Sequence, residues 1–162
     1  MKERPWKYFV IIITIIVLDQ ITKALVLNSF ILGERLSIVP GLFNLTFVKN
    51  PGAAFGIFSN SPDFIRKPLM LLPPILVSVW LLYMLWTSFK ENMLLTWAYT
   101  LIVAGALGNF IDRLIFGYVV DFLDFYFGRY HFPAFNVADS AISTAFFLLI
   151  LYQILLIKHH KK

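Results

Sequence analysis

No cysteine occurs among the 162 residues, which excludes disulfides, thiolate zinc sites, haem attachment and cysteine nucleophiles together. Histidine is nearly as scarce. Two of the 3 histidines, His159 and His160, sit in a basic tail and His131 stands alone, so no metal-ligand spacing exists and no metal site is expected. Charged residues make up only 14% of the chain. The net charge of +5 comes without a long polybasic run or a stacking module, so anionic lipid headgroups are the expected partner and nucleic acid is not. Internal repeats and low-complexity segments are absent too.

What the chain has in excess is apolar side chain: 59% hydrophobic residues and 17 Phe, against about 45–50% apolar in an ordinary soluble domain. That rules out a conventional soluble protein, and the length suits one domain, so residues 1–162 read as a single integral-membrane domain. Four stretches, 8–27, 68–89, 93–111 and 140–157, approach or reach the roughly 20 apolar residues that cross a bilayer. The first follows a basic start (Lys2, Arg4, Lys7) but is too long for a signal-peptide core and has no small-x-small cleavage site near its end. It reads as a retained anchor. Pro73 and Pro74 inside the second stretch predict a bend.

The second and third spans are separated only by Lys90, Glu91 and Asn92, whereas residues 28–67 and 112–139 form two long connections on the opposite side. The first holds β-favouring runs, Leu36 to Val39 and Leu42 to Lys49, divided by Pro40-Gly41 and closed by Asn50-Pro51-Gly52. A small sheet on one membrane face is expected there. The second is crowded with Phe and Tyr, which favour the headgroup interface. Lys and Arg are far denser per residue on the side of the termini, and the positive-inside rule therefore predicts both termini in the cytoplasm.

Ionisable groups in or beside a span are costly, so each needs a partner or a function. Asp19 and Lys23 share a helix face in the favourable order. The plainer reading is a structural ion pair whose lysine snorkels to the interface; the sharper one is a pair that also orients substrate or a loop. Asp112 and Arg113 read either as a helix-end ion pair or as functional groups. Ala104 and Gly108 offer a small-xxx-small face for close helix approach. Asp121, in an apolar setting, and Asp139, which taken alone reads as a helix N-cap, should both lie at one membrane boundary. Two carboxylates at one site cannot easily both ionise, and a pair sharing a proton can act as acid and base toward a water molecule. A serine–lysine peptidase and a proton-coupled carrier are the rival readings. Against the first, Asp19 would hold Lys23 protonated; against the second, the acids cluster at one boundary instead of crossing the midplane.

Five motifs occur in order: Asp19-Gln20-x-x-Lys23, Asn50-Pro51-Gly52-Ala53-Ala54-Phe55, Gly108-Asn109-x-x-Asp112-Arg113, Val119-Val120-Asp121-Phe122 and Phe135-Asn136-x-Ala138-Asp139. Through them the chain closely resembles the signal peptidase II family of bacterial inner-membrane aspartyl proteases. The resemblance implies removal of signal peptides from diacylglyceryl-modified prolipoproteins, cleaving before the lipidated cysteine, with no metal or organic cofactor. It implies Asp121 and Asp139 as the catalytic residues. It also implies Asn50, Gly52, Ala54, Gly108, Asn109, Arg113, Asn136 and Ala138 as residues that bind substrate or shape the site, and Asp19, Lys23 and Asp112 as supporting polar residues. Membrane lipids and cyclic-peptide inhibitors of the globomycin type are the further partners implied, and a monomer suffices because one chain supplies both acids. The implied fold is four transmembrane helices, an extracytoplasmic β-cradle in residues 28–67, and a short interfacial helix in the aromatic stretch after Arg113.

Overall fold

The computed structural model describes residues 5–52, 58, 60–88 and 92–160. Helix α1 spans Trp6–Ser29, strands β1 and β2 span Arg35–Val39 and Phe43–Asn50, and helices α2 and α3 span Asp63–Ser88 and Met93–Phe116. Strands β3 (Val119–Phe127) and β4 (Tyr130–His131) and helix α4 (Val137–His160) complete the order. All four helices are long and apolar enough to cross a membrane. Large side chains remain exposed along them, among them Val10, Ile13, Val17 and Leu25 on α1 and Phe146, Phe147 and Ile150 on α4. Such surface would aggregate in water and is what a hydrocarbon solvent requires.

Helix α3 is the centre of the bundle and packs against each of the other three. Its residues allow this, because Ala98, Ala104, Gly105 and Gly108 are small and buried and let neighbouring backbones approach. Near the chain termini Tyr8, Ile12, Leu81, Leu85 and Val103 close the bundle. The helix begins at Asn92, whose side chain accepts from the Leu94 and Leu95 amides at 2.9 and 3.2 Å. It ends at Gly117, whose φ of 77° is the left-handed conformation that costs glycine least. That turn sends the chain directly into β3.

The sheet is antiparallel throughout, in the order β1-β2-β3-β4. Asp121 lies opposite Val48, and Val119 opposite Asn50. A buried cluster of Val26, Phe47, Val120 and Phe122 fastens the sheet to the end of α1.

Two expectations change here. The aromatic stretch after Arg113 does not form a short interfacial helix; it forms β3 and β4, and the four long helices are the only ones among the described residues. The run Val119-Val120-Asp121-Phe122-Leu123 is rich in β-branched and aromatic residues, and pairing with β2 buries Val119 to Phe122. The helices also outrun the hydropathy: α2 begins five residues before Pro68, through the polar Asp63, Arg66 and Lys67, and α3 continues past Arg113. Helix α2 stays helical through Pro68, Pro73 and Pro74.

Gly105, absent from the sequence-based reading of the small face, makes the tightest approach. A Cβ placed there would fall 2.4 Å from the Ala138 carbonyl oxygen and 2.6 Å from Ile142 Cγ1. Gly105→Ala should therefore push α4 from α3 and cost about 1–3 kcal/mol, read as a lowered thermal midpoint in detergent. An unchanged midpoint would show that this contact has slack.

Candidate active site

The site is assembled where the end of α1, the end of α3, the start of α4 and strands β2 and β3 meet. Its foundation is Lys23, 2% exposed, whose ammonium lies 2.8 Å from Asp19 Oδ2 and 3.0 Å from Asp112 Oδ2. The same nitrogen donates to Asn109 Oδ1 at 2.9 Å. Lys23 does not snorkel: three acceptors inside the protein use its three protons, and burial is tolerable because both carboxylates are themselves tied down. Asp112 pairs with Lys23 and not with Arg113, so of the two readings of Asp112 and Arg113 the helix-end ion pair does not hold. The guanidinium of Arg113 instead donates to the Gly52 carbonyl at 2.9 Å and the Asn109 carbonyl at 3.3 Å.

Each carboxylate of this network holds a separate piece of backbone. Asp19 Oδ1 accepts from the Ala138 amide at 2.9 Å and so fixes the start of α4. Asp112 Oδ2 accepts from the Val120 amide at 3.0 Å and so fixes β3 beside Asp121. Gln20 Nε2 bridges Asp112 Oδ1 at 2.9 Å, the Gly108 carbonyl at 3.2 Å and Asp19 Oδ2 at 3.2 Å. Nothing in the first motif assigns Gln20 a role, and only its reach to α3 reveals one. Gly108 is required by the same crowding, since a Cβ there would lie 2.8 Å from Asp19 Oδ2 and 3.2 Å from Ala138 Cβ.

Asn136 joins the two candidate catalytic acids. Its Nδ2 donates to Asp121 Oδ1 at 2.8 Å, while its Oδ1 accepts from the Asp139 amide at 2.9 Å. Asp139 Oδ2 in turn accepts from the Asn136 amide at 3.3 Å. This reciprocal arrangement is a capping box, so Asn136 caps α4 and Asp139 occupies the third helical position, not the N-cap expected of it. The remaining oxygen of each acid has an amide donor: Asn109 Nδ2 to Asp139 Oδ1 at 2.8 Å and Asn50 Nδ2 to Asp121 Oδ2 at 3.1 Å. Asn50 is held by accepting from the Gly52 amide at 3.1 Å. Of the residues expected at the site, Ala54 lies outside the described residues; all the others converge here.

Asp121 is 2% exposed. Burial, reinforced by the Asp139 charge and opposed by the Asn50 and Asn136 bonds, pushes its carboxyl up to about 7. It can hold a proton close to neutrality, which an isolated surface carboxylate cannot.

Fold and site together define a multi-pass membrane protein with two amide-tethered carboxylates where its helices meet its sheet. The chain belongs to the signal peptidase II family, whose model, described as signal peptidase (SPase) II, matches residues 11–155. A lipoprotein signal peptidase of Desulforapulum autotrophicum is 49% identical over 129 residues, covering 80% of this chain and 80% of that protein. One from Shewanella pealeana is 41% identical over 164 residues, covering 99% and 94% respectively. A solved structure described as a bacterial membrane enzyme superposes with a TM-score of 0.81 at 32% identity, over 91% of this chain and 87% of that one.

Two outcomes follow from the electrostatics. Lys23→Met leaves Asp19 and Asp112 buried without a counter-charge and should cost about 3–5 kcal/mol. The neutral triple variant Asp19→Asn, Lys23→Met, Asp112→Asn should recover much of that loss in thermal unfolding. A triple variant no more stable than the single would refute the charge argument. The second concerns Asp121, whose raised value makes the folded protein bind more proton than the unfolded chain between about 3.8 and about 7. Its ionisation therefore lowers stability as pH rises through that window, by an amount on the order of 4 kcal/mol. Asp121→Asn should gain stability over wild type at pH 8 and lose that advantage at pH 4, and a pH-independent difference would exclude the effect.

Proposed function

We propose that this chain is an aspartyl endopeptidase that removes the signal peptide from diacylglyceryl-modified prolipoproteins, cutting before the lipidated cysteine. The observation that carries the reading is the bridging of Asp121 and Asp139 by Asn136, which keeps two carboxylates in one electrostatic unit. The pair works with one proton between its two members. The ionised member takes a proton from water as its oxygen attacks the scissile carbonyl carbon. The protonated member stabilises the carbonyl oxygen and then supplies the proton that the leaving nitrogen needs as the C–N bond breaks. Asn50, Asn109 and Asn136 keep both acids oriented through this exchange.

The position of the pair suits a substrate anchored in lipid. The signal peptide enters sideways between helices, the acyl chains stay in the bilayer, and the bond to be cut reaches the boundary where the sheet begins. Both termini lie in the cytoplasm and the sheet lies at the outer face of the inner membrane, as the density of Lys and Arg near the termini favours. A monomer is sufficient, and cyclic peptides of the globomycin type would compete at the same site.

The test is cleavage of a synthetic diacylglyceryl prolipopeptide and its unlipidated twin by the purified protein. Asp121→Asn and Asp139→Asn should each abolish turnover of the lipidated peptide while leaving the fold intact, and the double variant should be scarcely worse. The wild-type rate should follow a bell in pH whose alkaline limb falls near 7 as the pair loses its last proton. Full turnover by either single variant, or a rate flat from acid to strongly alkaline pH in folded protein, would defeat the reading.

A further inference from the structure

On the sheet, Asp124 closes a polar cluster of its own. Its Oδ2 accepts from Asn44 Nδ2 at 3.0 Å with Arg35 Nε 4.0 Å away, and its Oδ1 lies 2.7 Å from His131 Nδ1, so its charge is balanced where it stands. An unpartnered surface lies instead inside the bundle, on α3. Three sides of that helix are occupied. Trp97 and Gly108 meet α1 at Tyr8 and Asp19, Gly105 meets α4 at Ala138 and Ile142, and Val103 shares a buried cluster with Leu81 and Leu85 of α2. Among the described residues, α2 and α4 both lie along α3 but do not pack along each other.

A helix advances about 100° per residue, which fixes what faces the fourth side, between α2 and α4. There stand Leu95, Tyr99, Ile102, Ala106, Asn109 and Arg113, stepping by four and three residues in alternation, the spacing of a helix–helix seam. Leu95, Tyr99, Ile102 and Ala106 are only half-buried, although α3 is the central helix of the bundle. The adjoining stripe of α4 has the same spacing: Asp139, Ser143, Phe146 and Ile150, with Phe146 58% and Ile150 60% exposed. The Asn109–Asp139 hydrogen bond at 2.8 Å joins the two stripes at one end. The result is a groove floored by α3 and flanked by α4 and α2, apolar over most of its length and ending at the candidate acids.

Length and chemistry select the occupant. From Leu95 to Asn109 the stripe runs roughly 21 Å, the length of a helix of about 14 residues. The apolar core of a signal peptide has about 7–15 residues, and in lipid its backbone must be helical to satisfy its own polar groups. On the protease reading, on which this inference rests, that core precedes the scissile bond. It therefore approaches the acids with its C-terminal end and runs parallel to α3. Ala106, beside Gly105, is the low point of the floor, where a second backbone can come close.

We infer that the groove between α2 and α4 is the docking surface for the helical apolar core of the signal peptide, which packs on Leu95, Tyr99, Ile102 and Ala106 of α3 and on Phe146 and Ile150 of α4. The groove thereby sets the register of the substrate. A helix seated on it ends where Asn109, Arg113 and Asp139 replace the apolar floor, and the scissile bond follows. The apolar residues of the groove bind and align substrate and take no part in proton transfer.

The experiment uses the full-length protein in lipid nanodiscs with two diacylglyceryl lipopeptides, one carrying its whole signal peptide and one cut back to the few residues before the scissile bond. Ala106→Phe should raise KM for the long substrate about tenfold with kcat within about twofold, and leave the short one unchanged. Val10→Phe, which adds bulk at an exposed position on α1, should change neither. Because the chain has no cysteine, a disulfide reports contact directly, even where Ala106→Phe fails to fold. In the Asp121→Asn background, Phe146→Cys should cross-link under a mild oxidant to a long substrate with a free cysteine about seven residues before the scissile bond, matching the rise from Asp139 to Phe146 along α4. Val10→Cys should not. Equal cross-linking at both positions, none at Phe146→Cys, or a KM in folded Ala106→Phe that is unchanged for the long substrate or raised equally for both overturns the groove. Cleavage that survives Asp121→Asn overturns the carboxylate-pair reading and this inference with it, whereas cleavage lost there, beside a failed cross-link, overturns the groove alone.

Discussion

One buried ammonium organises this molecule. Lys23 is removed from water almost completely, a condition that is tolerable only because Asp19, Asp112 and Asn109 meet all three of its protons. Those acceptors come from α1 and α3; the other oxygen of Asp19 holds the first turn of α4, and the Asp112 oxygen that faces Lys23 also holds the backbone of β3. The charge cluster thus ties three helices and the sheet to a single point. In lipid, where burying apolar side chains gives helices little reason to associate, such polar contacts and close packing of small residues carry the specificity of assembly. Gly105 and Gly108 belong to the same device, since they let α4 and Asp19 come near enough for the bonds to form.

Rigidity at that point matters because the two candidate acids come from different elements. Asp121 sits on a strand and Asp139 on a helix, elements that could slide relative to one another by fractions of an ångström. Asn136 prevents this by committing its carbonyl oxygen to the cap of α4 and its amide nitrogen to Asp121. Asn109 performs the matching service between Lys23 and Asp139. Amide side chains suit this bridging role, since each offers a donor and an acceptor and adds no charge beside the two carboxylates.

The helices were legible in the sequence because a bilayer demands apolar residues on every face, a signal that survives without periodicity. Their ends were not. Hydropathy falls at Asp112 and Arg113, but the backbone stays helical until Gly117 supplies a left-handed turn, and Lys23 gives Asp112 the partner that makes its burial possible. The aromatic stretch misled for a different reason: rings suit an interface and a strand equally well, and only pairing with β2 decides between them. Spacing brought Asp121 and Asp139 to one boundary, yet the role of Gln20 and the capping function of Asn136 depend on contacts between residues as far as 92 positions apart. The Asp124–His131–Arg35 cluster was hidden more deeply, since it is drawn from three strands whose register no local pattern encodes.

The placement of polar groups follows one physical gradient. The Lys23 network lies where the helices converge and excludes water, so its charges must neutralise one another; the Asp124 cluster lies on the sheet, where Arg35 is largely exposed and solvent screens what the protein leaves unbalanced. Asp121 stands between the two regimes. It is buried enough for its carboxyl to rise to about 7, yet it forms part of the wall of a cavity whose described lining residues belong to the sheet and its loops. Moved deeper, the acid would stay protonated across the neutral range; moved outward, it would ionise at the ordinary value. The depth at which a carboxylate titrates near neutrality is therefore narrow, and the Lys23 network, by holding both β3 and α4, helps to fix it for Asp121.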